Sequence, residues 1–130
     1  MPHLTVGNNQ LEYVWYGPGP DEAPTLVFLH EGLGSVAMWR DFPERVITAT
    51  GFGALVYSRA GYGDSDPIEL PRPVRFMHDE ALITLPLLFK ATGVREAILI
   101  GHSDGGSIAL IHAGSRAAMQ HQTPIRGLIL

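Results

Sequence analysis

The 130-residue sequence predicts an α/β fold, a parallel-type sheet with an antiparallel N-terminal hairpin and with helices on both faces. The first observation behind this prediction is a set of continuous apolar runs, typical of strands that are covered on both faces: TLVFLH (25–30), ALVYS (54–58), AILIG (97–101) and RGLIL (126–130). The second is helical spacing between those runs, over about residues 35–50, 77–92 and 104–118. Strands that alternate with helices form right-handed βαβ units, and such units build a parallel sheet.

The hairpin is predicted at the start of the chain. Two β-prone runs, residues 4–6 and 11–16, flank the turn-forming tetrapeptide GNNQ. The segment GPGPDEAP that follows has the composition of a loop. Strands joined by so short a turn are antiparallel.

The first helix is predicted over residues 35–50. Ser35 is placed as its N-cap and Gly51 as its end, because small hydroxyl side chains cap N-termini and glycine ends helices. Pro43 is expected to break or offset this helix, with Asp41 as the cap of the second piece.

The second helix is predicted to be irregular and the third to be regular. An apolar stripe within residues 77–92 is ended by Gly93, and Pro86 is expected to kink it. The third helix starts directly after Ser103 and runs to about residue 118.

Composition and charge restrict the classes of function. Hydrophobic residues make up 45% and charged residues 17%, which predicts that residues 1–130 are globular and hold one domain at most. The net charge of -4 provides no attraction to nucleic acid or to an anionic membrane, so neither is an expected partner. The absence of cysteine excludes disulfides and thiol nucleophiles. No basic head with an apolar segment opens the chain, so we expect a cytoplasmic protein.

A serine stands where a predicted strand meets a predicted helix. Residues 101–105, GHSDG, fit the pattern G-x-S-x-G, the nucleophile elbow, which places Ser103 on a strained turn. Gly101 and Gly105 are expected because the chain on either side of the serine approaches so closely that a Cβ would clash. The overlapping match at Ser107 lacks a preceding strand and is interpreted as a helix residue. The alternative is that Ser103 only caps a glycine-rich turn.

Two backbone N–H groups are expected to stabilise the oxyanion that forms when the serine attacks a carbonyl. Asp104 supplies one of them at a helix N-terminus. The loop after residue 30 supplies the other, with Gly32 as the choice and Leu33 as the alternative. An ionised Asp104 side chain beside an oxyanion is unfavourable, so we expect it to be turned away or hydrogen-bonded. His102 is expected to point away from the serine and to hydrogen-bond among the loops.

Three segments, LHEGLG, YSRAGYGDSD and GHSDGG, occur in the order and spacing of the α/β-hydrolase superfamily. The chain resembles its smaller esterase, C–C hydrolase and proline iminopeptidase-like members from about residue 11 onward. The resemblance implies a serine nucleophile after the family's fifth strand and an oxyanion loop after its third. The chain departs from the family where His30-Glu31 replaces His-Gly and where Ser58 replaces an acidic residue. A serine at the elbow argues against the dehalogenase and epoxide hydrolase branches, which use a carboxylate there.

The sequence offers no credible proton acceptor for Ser103. In the family that the chain resembles, an acid and a histidine follow the serine on later loops. The histidines downstream of Ser103 are His112, on the helix that the elbow opens, and His121, in the loop after that helix. The chain resembles the N-terminal half of an α/β-hydrolase core, truncated near strand 6. We therefore expect a complementary C-terminal chain or segment that carries Asp or Glu and the histidine.

The expected function is that of a serine hydrolase that cleaves a small-molecule ester through an acyl-enzyme, with no cofactor. Amide and C–C bonds stay open as alternatives. Candidates for lining the substrate pocket are His30, Glu31, Leu33 and His102.

Two other functions remain open. Residues 32–37 match G-x-G-x-x-A between a strand and a helix, the pattern of an NADP-binding Rossmann-like oxidoreductase. The other possibility is a catalytically inactive half-domain that acts by association. No metal site is predicted, because the H-E-x-x-H pattern that His30 begins has glycine at position 34.

Overall fold

A computed structural model describes residues 2–115 and 123–130 of the chain. Six strands form one sheet: β1 (His3–Val6), β2 (Asn9–Tyr16), β3 (Thr25–Leu29), β4 (Gly53–Tyr57), β5 (Ala97–Gly101) and β6 (Ile125–Ile129). The spatial order of the strands is β1-β2-β4-β3-β5-β6. The last helical residues expected before 118, and His121, lie outside the described residues.

The strand directions confirm the predicted fold class. β1 and β2 form the antiparallel hairpin, and β2 continues antiparallel to β4. β4, β3, β5 and β6 are parallel, so their carboxyl ends meet at one edge of the sheet. In such a sheet that edge is where ligands bind.

The helices are shorter and more varied than the sequence indicates. They are a 3-10 helix (Val36–Trp39), α1 (Phe42–Thr50), α2 (Phe76–Asp79), a π-helix (Glu80–Thr84), α3 (Leu85–Thr92) and α4 (Asp104–Gly114). α1 packs on one face of the sheet. α3 and α4 pack on the other.

The segment predicted as a helix over 35–50 is broken next to Pro43, as expected, and its first piece is a 3-10 helix rather than an α-helix. The chain makes a short 3-10 helix and restarts as α1, with Pro43 in the first turn, where its missing N–H costs nothing. Ser35 and Asp41 occupy the cap positions, but neither side chain makes a capping hydrogen bond. Gly51 ends α1 in the left-handed conformation, φ 77°, as expected of a glycine stop.

The expected kink at Pro86 is replaced by a different irregularity. The π-helix absorbs one extra residue per turn just before Pro86, and Pro86 itself stands in the first turn of α3. The carbonyl of Ala81, within the π-helix, accepts a hydrogen bond of 2.7 Å from Nδ1 of His112. Gly93 ends α3 at φ 77°.

Side chains of the central strands alternate between two apolar layers. Val27 and Leu29 face the layer covered by α3 and α4. Leu26 and Phe28 face the layer covered by α1. Both faces of these strands are therefore buried, which explains why their sequences are continuous apolar runs.

β6 is the parallel strand that the sequence predicts, but it is not buried as β3 and β4 are. It is the last strand of the sheet among the described residues, and Leu128, Ile129 and Leu130 are 36%, 55% and 65% exposed. Its apolar sequence therefore borders solvent at an edge. Within residues 2–115 and 123–130, none of the helices has the length and apolar character needed to cross a membrane.

Candidate active site

Ser103 lies between the end of β5 and the start of α4. Its backbone has φ 56° and ψ -115°, a region that residues with a side chain rarely adopt. Arg40 is the other non-glycine residue with positive φ in the part of the chain that the structure describes. This strained strand-to-helix turn is the conformation of a nucleophile elbow.

The two glycines of the pattern permit the turn to close. A Cβ on Gly101 would lie 2.5 Å from the carbonyl oxygen of Gly105 and 2.6 Å from Cα of Gly106. A Cβ on Gly105 would overlap the carbonyl group of Leu29 at the end of β3. The atoms that these Cβ groups would meet belong to the backbone, so they cannot move aside as the end of a side chain could.

The hydroxyl of Ser103 is exposed at this corner. It makes no capping hydrogen bond to the first turn of α4. The turn of α4 is closed by backbone groups instead, since the N–H groups of Gly106 and Ser107 donate to the Ser103 carbonyl. The interpretation of Ser103 as a mere capping residue therefore lacks the contact that it requires.

Backbone N–H groups lie unused on both sides of the serine. Among the described residues no acceptor is found for the N–H of Asp104, nor for those of Gly32 and Leu33 in the loop after β3. The N–H of Gly34, by contrast, donates to the Glu31 carbonyl. Three donors are thus free for an oxyanion, and they come from the two segments that the sequence indicated.

The side chain of Asp104 is not turned away, contrary to expectation. A Cβ on Gly32 would lie 2.7 Å from Oδ2 of Asp104, so the carboxylate packs directly on the loop after β3. No hydrogen bond from a described residue holds it there. A side chain at position 32 would force this carboxylate to move.

His30 is a buried structural residue rather than a pocket wall. It is 2% exposed, its Nε2 accepts the Arg59 N–H at 2.9 Å, and its Nδ1 donates to the Glu31 carbonyl at 2.7 Å. These two bonds require the neutral ring with the proton on Nδ1. Burial, followed by the charge of Arg59, lowers the pKa of His30 from 6.5 to about 4. His30 therefore ties the loop after β3 to the loop after β4.

The other proposed pocket residues lie at the surface near the serine. Leu33 is 89% exposed, and His102 is exposed beside Ser103. Nδ1 of His102 lies 3.9 Å from Oε2 of Glu31, so His102 faces the loop after β3 at a distance longer than a hydrogen bond.

Three of the described histidines, His3, His30 and His112, form hydrogen bonds away from the serine. His112 is fully buried in α4 and bonds the Ala81 carbonyl, and His3 bonds the Asp64 carbonyl. With both nitrogens of His30 in use, no described histidine bonds the Ser103 hydroxyl. His121 lies outside the described residues.

A buried polar network beneath the loop after β4 was missed by the sequence reasoning. The Ser58 hydroxyl donates to Oε1 of Glu12 at 2.6 Å and accepts the Val36 N–H at 2.8 Å. The Ser65 hydroxyl donates to the Ser58 carbonyl and accepts the N–H of Glu12. Ser58 thus links β2, β4 and the segment after the loop that carries Gly32. The sequence signal that could have predicted this network is Ser58 itself, a polar residue directly after the apolar strand β4.

The structural role of Arg59 was also missed. Its side chain is buried, and its guanidinium donates to the carbonyls of His30 and Glu31. The backbone of the loop that carries the free N–H groups is therefore held by an arginine from the neighbouring strand end.

Comparisons with known proteins agree with this architecture. A family profile described as the alpha/beta hydrolase family matches residues 26–130. A bacterial membrane phospholipase A has a TM-score of 0.79 at 23% identity, and the match covers 98% of this chain and 37% of that one.

Two further solved structures have the same fold. A carboxylesterase of the thaumarchaeon Nitrososphaera gargenis has a TM-score of 0.77 at 22% identity, with 98% of this chain and 43% of that chain covered. A laboratory-evolved variant of potato epoxide hydrolase has a TM-score of 0.78 at 20% identity, with 98% and 37% covered.

The chain spans roughly two fifths of the length of these solved structures. No curated protein matches it. The profile match, the strand order and the elbow lead to one conclusion: the chain belongs to the alpha/beta hydrolase family.

Proposed function

We propose that this chain supplies the nucleophile and the oxyanion donors of a serine hydrolase that cleaves an ester bond. The observation that carries the proposal is the conformation of Ser103, an exposed serine at φ 56° between two glycines that no larger residue can replace. A hydroxyl on such a corner stands clear of the sheet and can approach a carbonyl carbon.

The free backbone donors fit the next step. Attack of the Ser103 oxygen on the ester carbonyl forms the carbon–oxygen bond of a tetrahedral intermediate and places negative charge on the former carbonyl oxygen. The N–H groups of Asp104 and Gly32 are available to that oxygen. Each such donor is worth about 3 kcal/mol of transition-state stabilisation in well-studied hydrolases. Collapse of the intermediate expels the alcohol, and water later releases the acid.

The proton of Ser103 must go to a base that the described residues do not bring to it. We propose that an acid and a histidine come from a complementary C-terminal chain or segment. An intact mass and a sedimentation profile of the active material test this point. Activity from a single 14.1 kDa species with no second polypeptide would refute the proposal of a second chain.

Ester is the preferred bond for two reasons. The exposed serine with paired N–H donors is suited to acyl transfer. A structural relative with a TM-score of 0.77 is a carboxylesterase. Amide and C–C substrates use the same nucleophile and are the next to be assayed.

The test is hydrolysis of p-nitrophenyl acetate by the purified active protein. We expect Ser103→Ala to lower kcat/KM by at least about a thousandfold, because the nucleophile is lost. Ser107→Ala is the matched control, since Ser107 lies one turn further along α4 in the overlapping pattern, and it should retain most of the activity. Full activity in Ser103→Ala would rule out the serine mechanism.

The same assay separates the two rival functions. An inactive half-domain shows no turnover even when its partner is present. NADP binding is less well supported, because the segment after Gly34 forms a 3-10 helix of four residues rather than the long helix whose N-terminus holds a pyrophosphate.

A further inference from the structure

A cavity of about 440 Å³ opens beside the loop that follows β4. The loop forms one wall, and α2 with the π-helix forms the other. Ala60, Ile68 and Phe76 give it an apolar surface, while Arg59 and Arg72 both line it. Neither Ser103 nor Gly32 borders this cavity, so it is distinct from the proposed nucleophile site.

The two arginines are unpaired charges. Throughout residues 2–115 and 123–130, no carboxylate oxygen lies within 4.0 Å of either guanidinium. Arg59 is only 3% exposed and donates to two backbone carbonyls, which leaves part of its five N–H groups unused. Arg72 makes no hydrogen bond to a described residue. A desolvated cation without a counterion is costly, so a nearby anion is strongly favoured.

Arg72 is held in place by aromatic rings. Its guanidinium carbon lies 4.7 Å from the centre of the Tyr62 ring and 5.3 Å from that of Phe76. Contacts to the flat face of a guanidinium leave its N–H edges free. The side chain is therefore oriented in advance for an in-plane, two-point contact.

The acidic residues of the cavity have other contacts. Glu80 accepts the hydroxyl of Tyr57 at 2.6 Å. Burial raises the pKa of Glu80, and the charges of Arg59 and Arg72 act in the opposite direction. Oδ1 of Asp79, which lines the cavity, lies 3.6 Å from Nε of Arg75, which does not line it. Glu69 is exposed. None of these carboxylates forms an ion pair with Arg59 or Arg72, so N–H groups of both guanidiniums stay available to a ligand.

We propose that this cavity binds a small organic carboxylate with an apolar body. The carboxylate lies against the N–H edges of Arg72 and Arg59, and the body packs on Ile68 and Phe76. Arginine is suited to this ligand because its planar fork matches the two oxygens of a carboxylate. The apolar walls select a carboxylate with a hydrophobic body over an inorganic anion.

Benzoate is the probe, and benzamide is its uncharged counterpart of nearly the same shape. In an NMR titration of the purified protein we expect benzoate to shift the amide signals of residues 59–60, 68–70, 72 and 76–84 in a saturable way. Benzamide and inorganic phosphate should each bind at least about tenfold more weakly. Benzamide lacks the negative charge, and phosphate lacks the apolar body. Equal binding of benzamide, or shifts confined to the elbow, would overturn the proposal.

Substitutions of single arginines test whether Arg72 provides the positive charge that binds benzoate. Arg72→Gln should weaken benzoate at least about tenfold, and Arg45→Gln, an exposed arginine on α1, should leave it unchanged. Ser103→Ala should bind benzoate as the unaltered protein does, because the two sites are separate. Unchanged affinity in folded Arg72→Gln contradicts the proposal. If Arg72→Gln fails to fold, the benzoate and benzamide titrations of the unaltered protein decide the question.

Discussion

The turn at Ser103 can close because two of its neighbours are glycines, which have no Cβ. Gly101 and Gly105 approach each other and the end of β3 so closely that a single methyl group has no space at either position. The backbone of Ser103 is strained at φ 56°, and the close packing of these neighbours keeps it in that conformation. The elbow is therefore sensitive to substitutions that leave every reactive group in place.

Gly105→Ala tests this sensitivity. We expect the variant to lose several kcal/mol of unfolding free energy and most ester hydrolysis, since its Cβ overlaps the Leu29 carbonyl. Urea unfolding and p-nitrophenyl acetate assays measure the two effects.

Gly114→Ala is the control on the same helix. A Cβ there meets nothing within 4 Å, and alanine favours helix, so the unfolding free energy should stay equal or rise by up to about 1 kcal/mol. A Gly105→Ala variant as stable and active as Gly114→Ala would show that the close packing is unimportant.

At the scale of elements, His30 connects two strand ends. It lies directly after β3 and accepts a hydrogen bond from Arg59, two residues after β4. Protonation of His30 would replace that accepted bond with a clash of two donors and would add a charge near Arg59. The link between these loops therefore exists only for the neutral ring.

The unfolding free energy of the protein should fall as the pH drops from about 6.5 to about 4, because of His30. The pKa of His30 is about 4 in the folded chain against 6.5 when unfolded, so the unfolded state takes up the proton first. The unfolding free energy should therefore decrease between about pH 6.5 and pH 4, by roughly 3 kcal/mol in total.

Denaturant unfolding at several pH values checks this. His30→Gln should remove this part of the pH dependence, while His102→Gln, the same change at an exposed histidine, should keep it. Parallel profiles for the unaltered protein and His30→Gln would contradict the prediction.

The strands were predictable because their signal is local. β3, β4 and β5 are covered on both faces, and each was located to within one residue by its apolar run. The elbow was predictable for the same reason, since its pattern lies within five consecutive residues.

The irregular helices and the buried network were not predictable, because their partners are distant in sequence. The π-helix presents the Ala81 carbonyl to His112, 31 residues away, and Glu80 to Tyr57, 23 residues away. Ser58 and Glu12 are separated by 46 residues. Periodicity within one segment carries no information about such contacts.

At the scale of the whole molecule, the sheet has an apolar edge. β6 is parallel to β5 on one side, and no described strand lies on its other side. Exposed backbone groups beside exposed leucine and isoleucine side chains form a template for pairing with another strand. The 130-residue polypeptide should therefore associate through this edge.

Ile129→Lys tests the role of the edge. A charge at this position, which is 55% exposed, should reduce self-association of the 130-residue polypeptide in sedimentation experiments. Val74→Lys is the control, because Val74 is fully exposed on the loop before α2 and lies away from the sheet edge. Equal association of the two variants would exclude β6 as the contact.

The contacts that close the turn at Ser103 come from two strands that are distant in sequence. The carbonyl of Leu29 at the end of β3 borders Gly105, just after β5. The turn can therefore close in this form only when β3 and β5 are paired. Formation of the corner and assembly of the centre of the sheet are thus one cooperative event.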